Sequence, residues 1–218
     1  MRRTLDPDAM RPARHDPRTL ELLQQLQLGL EQLYRLDPAP SICGFLVEGD
    51  GRRSEELLLV EDDDLFIGVV LEARALERLG DRLLAHENLE DFCQVVEGVS
   101  HFLCVLHRAR NERQTSCLEL ELQAEVDKYV AALLLVQRCP SLKLPRLRRL
   151  LYSHYQLLSD LAPHEQRRYH HATALARRYT RHLEHFVRAR RVPAMLGELR
   201  RFYRLDYWAK QDRIATAA

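Results

Sequence analysis

The feature that most constrains the fold is a long series of helix-forming segments that begins after Glu72. Leucine, glutamate, arginine and alanine dominate between the prolines, and the 218 residues include only 8 glycines. These residue types favour helix, whereas proline interrupts it except in a first turn, where Pro163 and Pro193 are expected. The pattern predicts helices at about residues 73–85, 88–111, 115–138, 145–160, 163–191 and 193–213.

The residues before this series add one helix and the clearest β signal of the chain. Leucines at three- and four-residue steps predict a helix at about Pro17–Tyr34. Short apolar segments then predict a small antiparallel β-meander over about residues 41–71, with strands near 42–47, 56–60 and 65–71. Because so small a sheet needs a covering layer, we expect an α+β, mostly α-helical fold, with the meander packed on a multi-helix bundle at about 73–213.

The domain organisation follows from length and from changes in composition. Residues 1–17 contain three prolines among charged residues, which predicts a disordered arm. Residues 18–213 are long enough for a single globular domain with one core. We expect this domain to have an acidic helix-and-sheet part, an acidic helical hairpin and a basic helical part, at 18–72, 73–138 and 139–213 respectively.

Three absences indicate a soluble cytoplasmic protein that does not act at a membrane. No apolar run approaches the eighteen residues or so that a membrane-spanning helix needs. The N-terminus shows no apolar segment of the kind that secretory signals contain. The 5 cysteines have no metal-ligand spacing and are expected to be buried free thiols.

The charge of the chain changes sign at about residue 138. Residues 41–137 carry 9 Lys/Arg against 20 Asp/Glu, and residues 138–218 carry 18 against 6. The net charge of +1 therefore conceals an acidic half and a basic half, and the basic half is almost entirely arginine. Such an asymmetry predicts a charge-dependent interaction with a partner rather than any particular reaction.

A helical wheel of residues 163–191 places a set of cations within one arc of about 100°. We call this set the basic row; it spans about 32 Å at the rise of an α-helix. Its candidate anion-binding residues are Arg167, His171, Arg178, Arg181, His185 and Arg188, and His170 lies in the same arc. Tyr203, Tyr207 and Trp208 follow in the sequence and could stack on bases.

Three interpretations of the basic row are compatible with the sequence. The row could bind nucleic acid or another external polyanion, because arginine recognises phosphate in bidentate geometry. It could pair with the acidic half of this chain, within one molecule or in a homo-oligomer. It could also be an ordinary solvated helix face. The expected partners are therefore a protein or a second copy of the chain, with nucleic acid as a further candidate.

A second candidate site lies on the predicted helical hairpin. Glu97 and His101 are four residues apart on its first helix, on the side opposite the main apolar stripe, where solvent exposure is expected. Glu121 and Glu125 of the second helix are expected at the same height. Carboxylates and imidazole on facing helices can hold a metal or supply a general base, or they can form a structural polar network.

A third candidate is the segment from Arg149 to His154, which has the form Arg-x4-His. It resembles the Arg-x4–6-His element of HEPN-type RNases, in which the Arg and the His act on an RNA phosphodiester. The resemblance implies RNase activity at these two residues, but the polar residue that usually follows the Arg is replaced by Leu150. Arg177 and His182 have the same spacing.

Together these observations favour a non-enzymatic interaction or scaffold protein without a cofactor. Its charge-divided helical surface would bind a partner protein, a second copy or a polyanion such as nucleic acid. The alternative is a helical-bundle enzyme. That enzyme would be metal-dependent at Glu97, His101, Glu121 and Glu125, or a HEPN-like RNase at Arg149 and His154.

Overall fold

The protein is a mostly helical bundle in the part of the chain that the structure describes. The computed structural model describes residues 12–13, 15–48, 55–61, 65–79, 83–136, 142–153 and 162–217. No helix in this part is long and apolar enough to cross a bilayer. The helices are α1 (Pro17–Tyr34), α2 (Ala73–Leu79), α3 (Leu89–Arg110), α4 (Cys117–Leu135), α5 (Leu144–Ser153), α6 (Pro163–Arg188), α7 (Val192–Arg204) and α8 (Tyr207–Thr216).

Side-chain caps define where several of these helices begin. The carboxylate of Asp16 accepts hydrogen bonds from the first-turn amides of α1. Pro17 follows it at the first helical position, where the helix needs no backbone N–H donor. The Ser116 hydroxyl accepts from the Glu119 amide at 3.2 Å and starts α4. Asp206 accepts from the Ala209 amide at 2.9 Å and starts α8. Each cap satisfies an amide that the helix itself leaves without an acceptor.

The predicted β-meander is wrong in its first strand. The segment Ile42–Phe45 forms a short 3-10 helix, and only after it does the chain bond to a strand, where the Val47 amide donates to the Val69 carbonyl oxygen at 3.0 Å. The described β structure is one antiparallel pairing of β1 (Glu55–Glu61) with β2 (Leu65–Leu71). An apolar run of this length does not distinguish a strand from a buried helical turn, which explains the error.

The predicted helix at 193–213 is also wrong, because the chain forms two helices there. Leu205 and Asp206 both have extended backbone conformations, which end α7 before the Asp206 cap starts α8. The predicted helix at 73–85 ends at Leu79, and residues 83–88 are not helical. The other predicted helices are present with small shifts at their ends, as far as the described residues extend.

α3 and α4 lie at the centre of the bundle. α3 packs against α1, α2 and the two strands, and also against α4, whose other side packs against α6. α7 closes the arrangement by contacting both α1 and α6. Both central helices are therefore covered on most of their circumference, and polar residues on them must find partners inside the protein.

Two predictions fall partly outside the described residues. The predicted arm at 1–17 is described only from Pro12, and there the Ala13 amide donates to the Leu46 carbonyl oxygen at 3.1 Å. The four described cysteines are free thiols, of which Cys104 is buried and the other three are half-buried; Cys139 lies outside the described residues.

Candidate functional site

The basic row faces solvent along the whole of α6. All seven of its side chains are exposed. The opposite side of α6 is buried in the bundle through Ala172, Ala176, Tyr179 and Leu183. The structure therefore leaves the predicted cationic face open rather than covered by another part of the described chain.

The carboxylates of α6 lie away from the middle of this face. Glu165 is buried and accepts a hydrogen bond from the Ala162 amide at 3.0 Å. Glu184 is largely buried and pairs with Arg148 at 3.0 Å and with Arg188, at one end of the row, at 3.2 Å. Among the described residues, the arginines at 167, 178 and 181 form no ion pair with a carboxylate. The exposed face of α6 thus carries charge of a single sign.

α8 runs along one edge of the basic row, parallel to α6. At its start, the Tyr207 hydroxyl oxygen lies 3.0 Å from His171 Nε2. Near its end, the Ala215 carbonyl oxygen accepts from Arg178 Nη2 at 3.2 Å. Trp208 follows Tyr207 and is 72% exposed, with its ring centroid 5.3 Å from that of Tyr207. An exposed indole therefore lies next to the tyrosine that contacts the basic row.

The predicted Glu and His positions of the helical hairpin do meet in space. One ligand atom each from Glu97, His101 and Glu121 lie within 4.8 Å of one another. The Nε2 atom of His101 is 4.0 Å from Glu121 Oε2. Lys128 joins Glu125 to the group, with its Nζ 2.6 Å from Glu97 Oε2 and 2.8 Å from Glu125 Oε1. We call these five residues the Glu97 cluster.

The expectation that this side of α3 is exposed is wrong. His101, Cys104 and Arg108 are buried and Glu97 is half-buried. The reason is that the second side of α3 packs against α4 over its length, while α6 supplies Arg168 to the same region. One apolar stripe marks one packed face, but a central helix has two.

Charged side chains already neutralise the carboxylates of the Glu97 cluster. Arg168 Nε lies 3.6 Å from Glu121 Oε1, and Lys128 bridges the other two carboxylates. Burial raises the pKa of Glu97, but Lys128 and His101 outweigh it and hold that pKa below its ordinary value. Conversely, Glu125 and Glu97 hold the pKa of Lys128 well above its ordinary value despite burial. A metal ion would have to displace the Lys128 ammonium, so the geometry favours a structural ion-pair network.

A second buried polar network, which the sequence analysis missed, connects five elements of the bundle. The Arg108 guanidinium pairs with Glu119 and donates to the Tyr203 and Leu205 carbonyls at the end of α7. Lys210 of α8 lies 3.6 Å from Glu119 and donates to the Gln123 side chain at 2.9 Å. We call the whole set the core polar network; its members are Tyr34, Ser100, Arg108, Glu119, Gln123, Asp127 and Lys210.

Asp127 is the hydrogen-bond hub of the core polar network. It accepts from the Ser100 hydroxyl at 2.6 Å, from the Gln123 amide at 2.9 Å and from the Tyr34 hydroxyl. Burial raises the pKa of Asp127 to about 6, although these three donors act in the opposite direction. Burial also lowers the pKa of Lys210, which is 0% exposed. Burial therefore shifts the pKa values of both groups, upward for Asp127 and downward for Lys210.

One sequence signal could have revealed this network. Gln123 and Asp127 are one turn apart on α4, a helix with buried apolar residues on nearly all sides. A polar pair at this spacing in such a helix has no solvated face available and requires internal partners. The partners themselves come from α1, α3 and α8, and no local pattern identifies them.

The HEPN-like residues are not brought together in the described structure. Arg149 is exposed on α5, and His154 lies outside the described residues. Arg177 is exposed whereas His182 is half-buried, because residues five apart on a helix point about 140° away from each other. Burial lowers the pKa of His182.

The chain matches no protein family, and neither curated proteins nor solved structures give a significant match to it. Function is therefore inferred from the geometry and the charge of the residues themselves.

Proposed function

We propose that the protein is a non-enzymatic interaction protein that binds a polyanion through the basic row. Nucleic acid is the commonest such polyanion in a cell. The single observation that carries the proposal is the exposed, single-sign face of α6, whose carboxylates lie at its end or inside the protein. A solvated helix face normally mixes charges of both signs.

The chemistry of the basic row suits phosphate groups in a line. Its four arginines present planar guanidinium groups, which bind phosphate oxygens in bidentate geometry. Neighbouring positions three and four residues apart are about 5–6 Å from each other, so the row offers repeated charges along its length of about 32 Å. Neutralising several phosphates releases counterions and makes such binding strongly salt-dependent.

Pairing of the basic row with an acidic surface of a second copy is less well supported. None of the four carboxylates of α4 is exposed, since Glu119, Glu121 and Asp127 are buried and Glu125 is half-buried. These carboxylates bind cations or donors inside the bundle. This helix, the most acidic of those described, therefore offers little surface charge to a partner.

The test compares two charge reversals of equal size. Arg167→Glu/Arg181→Glu changes two exposed arginines of the row that form no ion pair with described residues. Arg74→Glu/Arg110→Glu changes two exposed arginines on α2 and α3 by the same charge. Binding to heparin, duplex DNA and a single-stranded oligonucleotide is measured at about 50 and 200 mM salt.

We expect the parent protein to bind at the lower salt concentration and to lose affinity steeply at the higher one. The α6 pair should weaken binding by about 100-fold, and the control pair by much less. Equal losses in both variants would place the binding surface elsewhere. If the parent binds none of the three probes, the proposal fails, and salt-dependent self-association in light scattering would identify the homotypic alternative.

The grouping of Glu97, His101 and Glu121 supports a metal-dependent enzyme as a second candidate function. Lys128 and Arg168 argue against it, because they already supply positive charge to these carboxylates. An RNase activity at Arg149 and His154 has only the sequence resemblance behind it.

A further inference from the structure

The exposed Trp208, next to the tyrosine that contacts the basic row, indicates which class of polyanion the row binds. We infer that the surface formed by the basic row and Trp208 binds single-stranded nucleic acid, with a base stacked on the indole of Trp208. This inference rests on the proposed function, because the row must first hold the phosphate backbone.

The position of Trp208 is fixed by contacts on both sides of it. Tyr207, immediately before it, contacts His171 of the row through its hydroxyl group. Lys210, two residues later, is anchored in the core polar network. Further along α8, Arg213 forms two hydrogen bonds of 2.7 Å to the buried Glu198 of α7. The helix that carries Trp208 is thus held against the bundle while the indole itself is exposed.

Exposure of this side chain has no structural explanation within the described chain. Trp208 is 72% exposed, and it is the most exposed of the large apolar side chains that the structure describes. The exposed ring on an anchored helix leaves its face accessible to a stacking partner, and burial of an aromatic ring of this size is favourable.

A single strand fits this arrangement better than a duplex. In a duplex the faces of the bases are stacked on each other, and only phosphates and base edges are accessible. A single strand offers base faces, which stack on aromatic side chains with little sequence preference. A cationic groove or row combined with an aromatic platform is the usual design of surfaces that bind single strands.

The sole tryptophan of the chain makes the inference directly measurable. Its fluorescence is titrated with oligo(dT) of about 12 nucleotides, with a duplex of the same length and with heparin. We expect oligo(dT) to quench the emission and to bind more tightly than the duplex. Trp208→Ala should weaken oligo(dT) binding, followed by anisotropy of the labelled strand, by about 5- to 150-fold and heparin binding by less than about 2-fold. Trp208→Phe should retain most of the affinity.

The outcomes separate the inference from the proposed function. If oligo(dT), duplex and heparin all bind but Trp208→Ala changes none of them, single-strand stacking is ruled out and polyanion binding by the row stands. If duplex binds as tightly as oligo(dT), the inference is likewise overturned. If nothing binds the parent, the proposed function itself has failed. Unchanged thermal unfolding of the Trp208 variants verifies that any loss comes from the contact.

Discussion

The α3–α4 hairpin and the outer face of α6 use charge in opposite ways. Inside the hairpin, carboxylates are buried and each pairs with cations or hydrogen-bond donors, as in Glu119 with Arg108 and Lys210. On α6, cations are exposed and the basic row has almost no carboxylate beside it. Within the described residues, the basic row is therefore not paired with the carboxylates of the hairpin. The acidic half turns much of its helical charge inward, and the basic half leaves a surplus of arginine outside.

It follows that ion-pair chemistry has a large effect on stability in the interior and a small effect at the surface. Removing one partner of a buried pair leaves an uncompensated charge in the core, which costs about 3–5 kcal/mol. Changing an exposed charge alters stability by about 0.5 kcal/mol or less. The interior charges should determine whether the protein folds, and the exterior charges should determine what it binds.

The largest expected effect is that of Arg108→Met. The substitution removes the partner of Glu119 and the donors to two carbonyls at the end of α7. We expect the free energy of unfolding to fall by about 3–5 kcal/mol, as measured by urea denaturation. Arg181→Met, on the outer face, is the matched control and should change it by about 0.5 kcal/mol or less. Similar losses in the two variants would contradict the division between interior and exterior charge.

The next largest expected effect is a pH dependence of the stability that arises from Asp127. Its pKa in the folded protein is about 6, above the ordinary value of 3.8, because the carboxyl group is buried. The folded state therefore holds the proton more tightly than the unfolded state does. The contribution of Asp127 to stability is complete below about pH 4 and is lost as the pH rises through about 6.

Asp127→Asn isolates this contribution, since asparagine does not titrate. We expect the stability of the parent minus that of the variant to fall by about 2.4 kcal/mol between about pH 4 and pH 7. Urea denaturation of both proteins across this range measures the difference, and effects common to both cancel. A difference that stays constant, or that grows with pH, would show that Asp127 is not the titrating group.

The sequence predicted the surface of this protein better than its interior. The helix that begins at Pro163 and its division into an apolar side and a cationic side follow from local periodicity. The outward orientation of the basic row was one of three interpretations, and the structure shows it. The first helix, Pro17–Tyr34, was predicted with its observed ends from leucines at three- and four-residue steps.

The interior could not be predicted in the same way, because it depends on contacts far apart in the sequence. Lys210 is on the short helix α8, which the sequence pattern predicted as part of one helix with α7. Its partner Gln123 is 87 residues away. Likewise, His101 was expected to be exposed because one apolar stripe on α3 accounts for only one of its two packed faces. Single-helix patterns carry no information about a second covering layer.

A smaller loss of stability is expected at the Glu97 cluster, where the charged side chains of Glu97, Glu125 and Lys128 are only half-buried. Lys128→Met removes the ammonium between Glu97 and Glu125 and leaves the two carboxylates without it. We expect a loss of about 2 kcal/mol, less than at Arg108, because Lys128 retains some contact with solvent.

The same variant tests the metal-dependent alternative. Lys128→Met removes the cation from Glu97, which lies beside His101 and Glu121, so Zn²⁺ should raise the melting temperature of this variant but not that of the parent. Elemental analysis of the parent should find no stoichiometric metal. A parent protein purified with one equivalent of zinc, iron or manganese would contradict the ion-pair interpretation and support an enzyme.

The smallest effect on stability, and the sharpest effect on binding, is expected within the basic row. Arg181→Ala and Arg167→Ala each remove one exposed guanidinium group that has no carboxylate partner among the described residues. Each should leave the free energy of unfolding unchanged within about 0.5 kcal/mol. Each should also reduce the slope of log K against log salt concentration by about one, because one fewer phosphate is neutralised. Arg108 is buried in the core and cannot contribute to that slope. A folded variant of Arg108 with a reduced slope would therefore contradict the conclusion that interior charges stabilise the fold and exterior charges bind the polyanion.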